Sequence, residues 1–299
     1  MAAVSKLMRS KLSPENEQRL FEMRTDVWVG YERALEVRSD LERLLAYPES
    51  QRMPCMALMG ESNNGKSSIL ANFEKRHPAV TDPNAEKALM PVVLIIMPPA
   101  PIEGRLYYKI LDHFGVAGST REPDESMLRR IKILFTHLET KILIIDEIFN
   151  IRSGTNRQHV RILNALRNLS TELNIAVVIS GVPQIDSILS IEPEVSTRFR
   201  PVFLEVWGSD RIEEYARFIK TIERHFKLAR PWQILTERTL SQLLYFSDGL
   251  LGQTVDILKL LAEFAIRSGE ETIEAKHINR EHLDAVGWVP PKNSAVRNR

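Results

Sequence analysis

Apolar residues arrive along this chain in two rhythms. Short, almost wholly apolar runs of strand length stand at residues 53–59, 91–97, 141–145 and 175–180, the third opening on Lys141 and the fourth ending on Ser180. Such runs suit strands buried on both faces of a parallel sheet. Between them the apolar positions fall at helical spacing. Residues 32–47 carry Ala34, Leu35, Val37, Leu41, Leu44 and Leu45, and Pro48 ends the pattern. The stretch after Lys66, then 103–114, 125–138 and 160–172, repeat the rhythm, with polar loops at 115–124 and 150–159. Strand and helix in alternation predict an α/β fold: a parallel sheet with right-handed crossovers, flanked by helices. From Ser209 the rhythm changes. Residues 210–227, 236–247, 252–267 and 275–284 read as helices with no strand among them. Upstream, residues 1–26 read as amphipathic helix, with a good start at Ser13-Pro14-Glu15-Asn16-Glu17. The expected division is a helical extension (1–26), an α/β domain (27–208), a small helical domain (209–286) and a basic disordered tail (287–299).

The chemistry concentrates in Gly60-Glu61-Ser62-Asn63-Asn64-Gly65-Lys66-Ser67. This is the G-x-x-x-x-G-K-[ST] pattern of a phosphate-binding loop. A glycine at each end lets the backbone turn so that successive N–H groups point at phosphate oxygens. Lys66 would reach the β- and γ-phosphates, and Ser67 would place its hydroxyl on Mg²⁺. The helix beginning near Lys66 and Ser68 would aim its positive end at the anion. The strand before and the helix after supply the required context. Gly60 through Ser68 are therefore expected to contact the nucleotide. Trp28 and Tyr31, shortly upstream, would lie either on the adenine or in plain packing.

A second motif supports the first. The run 141–145 ends in Asp146-Glu147. Asp146 would hold Mg²⁺, and Glu147 stands where a base polarises the attacking water. Ligands bind at the carboxyl ends of parallel strands. Ser67, Asp146 and Ser180 all fall at or beyond such ends, and Ser180 would orient water beside the γ-phosphate.

Bulk properties change this picture little. Of the 299 residues, 43% are hydrophobic and 26% charged, as in an ordinary globular protein. The formal net charge of +1 gives no global basic field for nucleic acid, though a local basic face remains open. The single cysteine, Cys55, lies in an expected buried strand and excludes an internal disulfide or a cysteine zinc site. No secretory signal is legible at Met1–Ser10, and no apolar run reaches membrane-spanning length. No membrane association and a cytoplasmic setting are expected.

These residues resemble the AAA+ P-loop ATPases over about residues 27–285. Within that class the chain resembles the TniB/TnsC transposition regulators. The resemblance rests on Trp28-Val29-Gly30-Tyr31, the phosphate loop, the Leu-Tyr-Tyr and Ile-Leu core between Pro98 and Gly115, Ile145-Asp146-Glu147, Ser180-Gly181-Val182-Pro183 and Gly249-Leu250-Leu251-Gly252. It implies an ATP-dependent oligomer, a hexameric ring or helical filament, on double-stranded DNA. It also implies partners: a DDE transposase and a TniQ-type targeting protein. The C-terminal helices become the lid domain, and Arg198, with Arg200 in reserve, becomes the arginine offered to a neighbour's ATP. Many AAA+ lids carry an arginine where Gly252 stands, and its absence suggests slow hydrolysis. DNA phosphates would meet Lys109, Thr120, Arg121, Arg129, Arg130 and Lys132, with the 150–159 loop as another candidate and Arg297 and Arg299 available to a partner. The alternatives are another AAA+ DNA machine (a replication initiator or helicase loader), a nucleotide-gated scaffold with negligible hydrolysis, and a small-molecule P-loop kinase.

Overall fold

A computed structural model describes residues 2–25, 28–80, 88–116, 119 and 122–291. Thr120, Arg121, Arg297 and Arg299 lie outside the described residues. The chain divides into two compact units.

The α/β unit comprises residues 33–62 and 66–204. Its elements are α3 (Glu32–Leu45), β1 (Cys55–Gly60), α4 (Lys66–Arg76), β2 (Val92–Ile96), α5 (Glu103–His113), α6 (Asp124–His137), β3 (Ile142–Asp146), α7 (Asn156–Leu173), β4 (Ala176–Gly181), α8 (Ile185–Leu189), α9 (Pro193–Ser196) and β5 (Phe199–Leu204). α1 (Ala2–Met8) and α2 (Pro14–Arg24) precede them in the chain, α2 starting behind the N-cap Ser13. The five strands are all parallel, in the order β2-β3-β4-β1-β5. β1, β3 and β4 are buried at every position, as their apolar runs require. Cys55 is a core residue whose thiol donates to Ser170 Oγ at 3.4 Å. Burial raises its pKa. The chain passes from β1 over β4 and β3 to β2, so the carboxyl ends of β1, β4 and β3 border the point where strand order reverses. That is where an open α/β sheet binds ligands.

Two features of this unit differ from expectation. Apolar runs predict four strands, but Phe199–Leu204 adds a fifth, pairing with β1 as an edge strand, Phe199 opposite Cys55 and Leu204 opposite Gly60. Pro201 and two nearby arginines hide it in the sequence. An edge tolerates a proline because one side of its ladder is unpaired. The Arg33 guanidinium covers part of that edge by donating twice to the Phe203 carbonyl, at 3.1 and 2.8 Å. The polar stretch 150–159 is not a loop. Ile148–Ser153 is a 3₁₀ helix, and α7 starts at Asn156 behind a capping box of Thr155 and Gln158.

The helical unit comprises residues 1–32, 63–65 and 205–299. Its helices after Leu204 are α10 (Ile212–Phe226), α11 (Glu237–Ser247), α12 (Leu251–Ser268) and α13 (Arg280–Ala285). The 275–284 stretch, expected as one helix, is a 3₁₀ turn at Ala275–His277 followed by α13. Leu20 and Met23 of α2 join its core, beside Trp207, Tyr215, Phe218 and Trp232. Arg19 fastens α2 by a two-pronged pair with Glu271 at 2.8 and 2.7 Å. Trp288, which composition assigns to a disordered tail, is 4% exposed and meets Phe246 edge-on at 5.5 Å.

Gly249 is needed where it stands. Its φ is +66°, and a Cβ there would lie 2.1 Å from the Trp207 carbonyl oxygen. Trp207 N–H donates back to the Gly249 carbonyl at 2.8 Å, so neither backbone can withdraw freely. Gly249→Ala is expected to cost at least about 2 kcal/mol, combining left-handed strain with a backbone collision. Urea denaturation of the pure protein checks this; an unchanged midpoint would contradict it.

The helical unit is also expected to be acid-sensitive. His277 Nδ1 accepts the Glu274 N–H at 3.1 Å, so the ring is neutral there, and Nε2 lies 3.3 Å from a Glu270 carboxylate oxygen. His282 stacks on it at 4.9 Å, and Phe264 meets both rings edge-on. Burial holds both imidazoles below their ordinary value. Glu270 opposes this at both rings, and Lys276 adds to it. A histidine depressed in the folded state binds its proton more readily when unfolded. Its stability contribution is therefore complete above the unfolded pKa of about 6.5 and falls as pH drops below it. Glu271, held low by Arg19, acts in the same sense, but only as pH falls below its ordinary value of 4.5. The melting temperature should decline from neutral pH to about pH 5, and His277→Gln should flatten the decline. A flat profile in the parent would contradict the assignment.

Candidate nucleotide site

The α/β unit gathers most of the polar residues singled out in the sequence. α4 opens at Lys66, whose Nζ donates to the Gly60 carbonyl at 2.9 Å and to the Glu61 carbonyl at 2.8 Å. Burial lowers the Lys66 pKa, while Asp146, Glu147 and Glu61 pull it back up. A largely buried ammonium hydrogen-bonded to neutral carbonyls is suited to receive an anion. Ser67 Oγ donates to Asp146 Oδ2 at 2.5 Å. Asp146 ends β3, and its other oxygen accepts the Glu147 N–H at 2.8 Å.

Glu147 is exposed, with φ +57° and ψ +35°. Left-handed backbone costs a non-glycine residue about 1 kcal/mol or more. Here it breaks the strand after Asp146 and caps the 3₁₀ helix at Ile148. Ser180, on β4, sits opposite Leu58 of β1 and is fully buried. Its hydroxyl has no hydrogen-bond partner among the described residues. An orphaned buried hydroxyl in the same unit as a buried lysine, a serine–aspartate pair and an exposed glutamate fits a bound phosphate with its hard cation. Ser67 and Asp146 offer the oxygen donors that Mg²⁺ takes. Asn150, singled out in the sequence only within the 150–159 DNA-contact candidate, also braces this end of the sheet by donating to the Met97 carbonyl at 2.8 Å.

The middle of the phosphate loop, Asn63–Gly65, clusters with the helical unit. Asn64 is 1% exposed; its Nδ2 donates to the Glu205 carbonyl at 3.1 Å, and its Oδ1 accepts the Leu251 N–H at 3.4 Å. Gly252 N–H donates to the Asn63 carbonyl at 2.9 Å. A Cβ on Gly252 would lie 2.0 Å from Asn63 Oδ1, so a larger side chain there would require the Asn63 amide to move. Tyr31 packs on Trp207 at 5.3 Å and on Phe218 at 6.2 Å, while Trp28 is half-buried.

The remaining residues are dispersed. Arg198 Nη1 donates to Thr171 Oγ1 at the end of α7 at 2.9 Å, and its Nε is buried with no acceptor among the described residues. Arg200 is exposed beside a cavity shared with Asp40 and Tyr47. Of the expected DNA contacts, Lys109 pairs with Asp112 at 3.2 Å, Arg130 with Glu122 at 2.8 Å and Lys132 with Glu172 at 3.5 Å; Arg129 is exposed. Partly exposed pairs of this kind are worth about 0–1 kcal/mol and yield readily to phosphate.

Comparison with known proteins gives a family and a fold. Residues 19–209 match a family model described as bacterial TniB protein. No curated protein sequence matches the chain. Solved structures give the fold. The ORC2 protein of Aeropyrum pernix, in ADPNP–ADP complexes, is 15% identical with a TM-score of 0.63, covering 89% of this chain and 71% of its own. The ORC1 protein of the same organism, in complex with DNA, is 16% identical with a TM-score of 0.59, covering 89% and 68%. Cdc6p from Pyrobaculum aerophilum is 16% identical with a TM-score of 0.57, covering 94% and 70%. The fold is that of the AAA+ ATPases. No described helix is long and apolar enough to cross a membrane.

Proposed function

Because the chain belongs to the bacterial TniB family, we propose that it is an ATP-hydrolysing regulator of DNA transposition. It oligomerises with ATP on double-stranded target DNA, as a ring or filament, recruits or activates a DDE transposase, and disassembles on hydrolysis. A TniQ-type protein is the targeting partner. The observation that carries this reading is the gathering of Lys66, Ser67, Asp146, Glu147 and the orphaned Ser180 hydroxyl in one α/β unit.

Lys66 binds the β- and γ-phosphates, and Gly60 to Ser68 cradle them. Ser67 and Asp146 hold Mg²⁺. The bound cation neutralises charge developing on the transferred phosphoryl group. Glu147 accepts the proton of the attacking water, and Ser180 orients that water. Arg198, or Arg200, reaches a neighbour's nucleotide. Lys109, Arg129, Arg130 and Lys132, with Thr120 and Arg121, take DNA phosphates. Gly252 in place of an arginine accords with slow turnover and a switch-like role; steady hydrolysis of many ATP per second would remove that part of the reading.

Electron microscopy of the protein with DNA, with and without a non-hydrolysable ATP analogue, tests the proposal. Rings or filaments on DNA only with nucleotide support it. A monomer indifferent to DNA in both conditions overturns it. A second reading, a replication-initiator-type machine, is favoured by the likeness to ORC and Cdc6 structures. Stimulation of helicase loading, with no effect on strand transfer by a transposase, would select it.

A further inference from the structure

α12 begins without a cap of its own. Its N-cap is Leu250, whose apolar side chain makes no hydrogen bond to the first turn. Serine, threonine, aspartate or asparagine normally stands there, because the first N–H groups of a helix have no partner inside it. In α12 two of those groups are taken up by the phosphate loop. Leu251 N–H donates to Asn64 Oδ1, 187 residues earlier in the chain, at 3.4 Å. Gly252 N–H donates to the Asn63 carbonyl at 2.9 Å. Asn64 thus does for α12 what an asparagine at position 250 would do. Its Nδ2 is used as well, donating to the Glu205 carbonyl at 3.1 Å, and the residue is 1% exposed. All these partners belong to the helical unit, as do Asn63, Asn64 and Gly65 themselves.

The loop gains from the same bonds. Asn63 stands at φ +61° and Gly65 at φ +88°. A left-handed residue other than glycine persists where its surroundings over-determine it. Here the Asn63 carbonyl is held by Gly252 and the Asn64 side chain by Leu251 and Glu205. The φ and ψ angles of these residues set where the loop's backbone N–H groups point, and those groups are the phosphate cradle.

We infer that the first turn of α12 positions the phosphate loop for nucleotide, and that the Asn64 side chain is the positioning group through which it acts. The inference rests on the nucleotide-binding reading above and adds what keeps the cradle in shape. A loop released from α12 is competent for only part of the time, and its apparent affinity falls by that fraction.

Leu251→Pro tests the bond directly. Proline suits the first position of a helix, where its missing N–H breaks no bond within α12, and Leu250 already has the extended backbone (ψ 127°) that precedes a proline. Leu251→Ala keeps the N–H and controls for the lost side chain. Calorimetric titration of the full chain with a non-hydrolysable ATP analogue should show the proline variant binding about fivefold more weakly than the alanine variant. With Asn64→Ala also present, the two should bind alike, because the bond that distinguishes them has lost its acceptor. In steady-state hydrolysis the proline variant should raise KM over the alanine variant with the same turnover at saturation. Amide hydrogen exchange of the unaltered protein needs no variant. The analogue should slow exchange at Leu251 and Gly252, whose N–H groups have no partner within α12 and so report on the loop. Equal affinity of the proline and alanine variants overturns the inference and leaves the nucleotide site standing. So does a proline effect that survives the loss of Asn64, or exchange at both amides unchanged by bound analogue. A parent that binds no analogue overturns the nucleotide reading, and this inference with it.

Discussion

Glu147→Gln is expected to lower ATP turnover by about two orders of magnitude or more while nucleotide binding survives. The residue is exposed at the end of β3, on a left-handed backbone that the glutamine retains. The substitution removes a proton acceptor and little else. Among the described residues no hydrogen bond ties the Glu147 side chain in place; its backbone N–H carries the bond to Asp146. Ser67, Asp146 and Lys66 stay as they are. Assemblies on DNA should then persist with ATP, since the step that releases them is blocked. Single-turnover hydrolysis and equilibrium binding, measured on the same preparation, check both halves. Equal rates in variant and parent would remove Glu147 from its role. They would also favour a nucleotide-gated scaffold with negligible hydrolysis.

Lys66→Ala should have the largest effect on nucleotide affinity. Its Nζ is a largely buried cation that donates to the Gly60 and Glu61 carbonyls, at 2.9 and 2.8 Å. A triphosphate offers that ammonium charged partners in place of neutral ones. Charge-assisted hydrogen bonds contribute about 1.5–3 kcal/mol each, so removing two of them weakens binding roughly a hundredfold or more. Calorimetric titration with an ATP analogue measures it directly. Near-parental affinity would place the phosphates elsewhere and undo the reading of the loop. Because assembly on DNA is proposed to require nucleotide, the same variant should form no rings or filaments.

Much of this is legible in the amino-acid sequence. The apolar runs within 141–145 and 175–180 read as buried strands, because they are of strand length and solvent contact on either face would leave apolar side chains in water. Gly60 to Ser67 and Asp146-Glu147 are local patterns; each places its functional groups within a few residues of a strand end. Sequence spacing therefore suffices to find them. β5 escapes because its burial alternates and it contains Pro201, so its identity depends on β1 beside it. The fate of 150–159 escapes for the same reason. Its helical form is secured by His159 reaching back to Ile151, a contact hidden inside a polar-looking stretch. Trp288 stands among prolines and polar residues, and nothing in that neighbourhood announces Phe246.

Short-range periodicity and residues adjacent in the chain are enough to specify the order of the α/β elements, the helical character of the C-terminal region, the phosphate loop and the acidic pair at the end of β3. Other features emerge only from packing across the fold. Ser67 meets Asp146, the Ser180 hydroxyl is buried and unsatisfied, Gly252 is packed against Asn63, and α2 belongs to the helical unit's core. Pairing and burial depend on residues far apart in sequence, and no local pattern reports what lies on the other side of a folded chain.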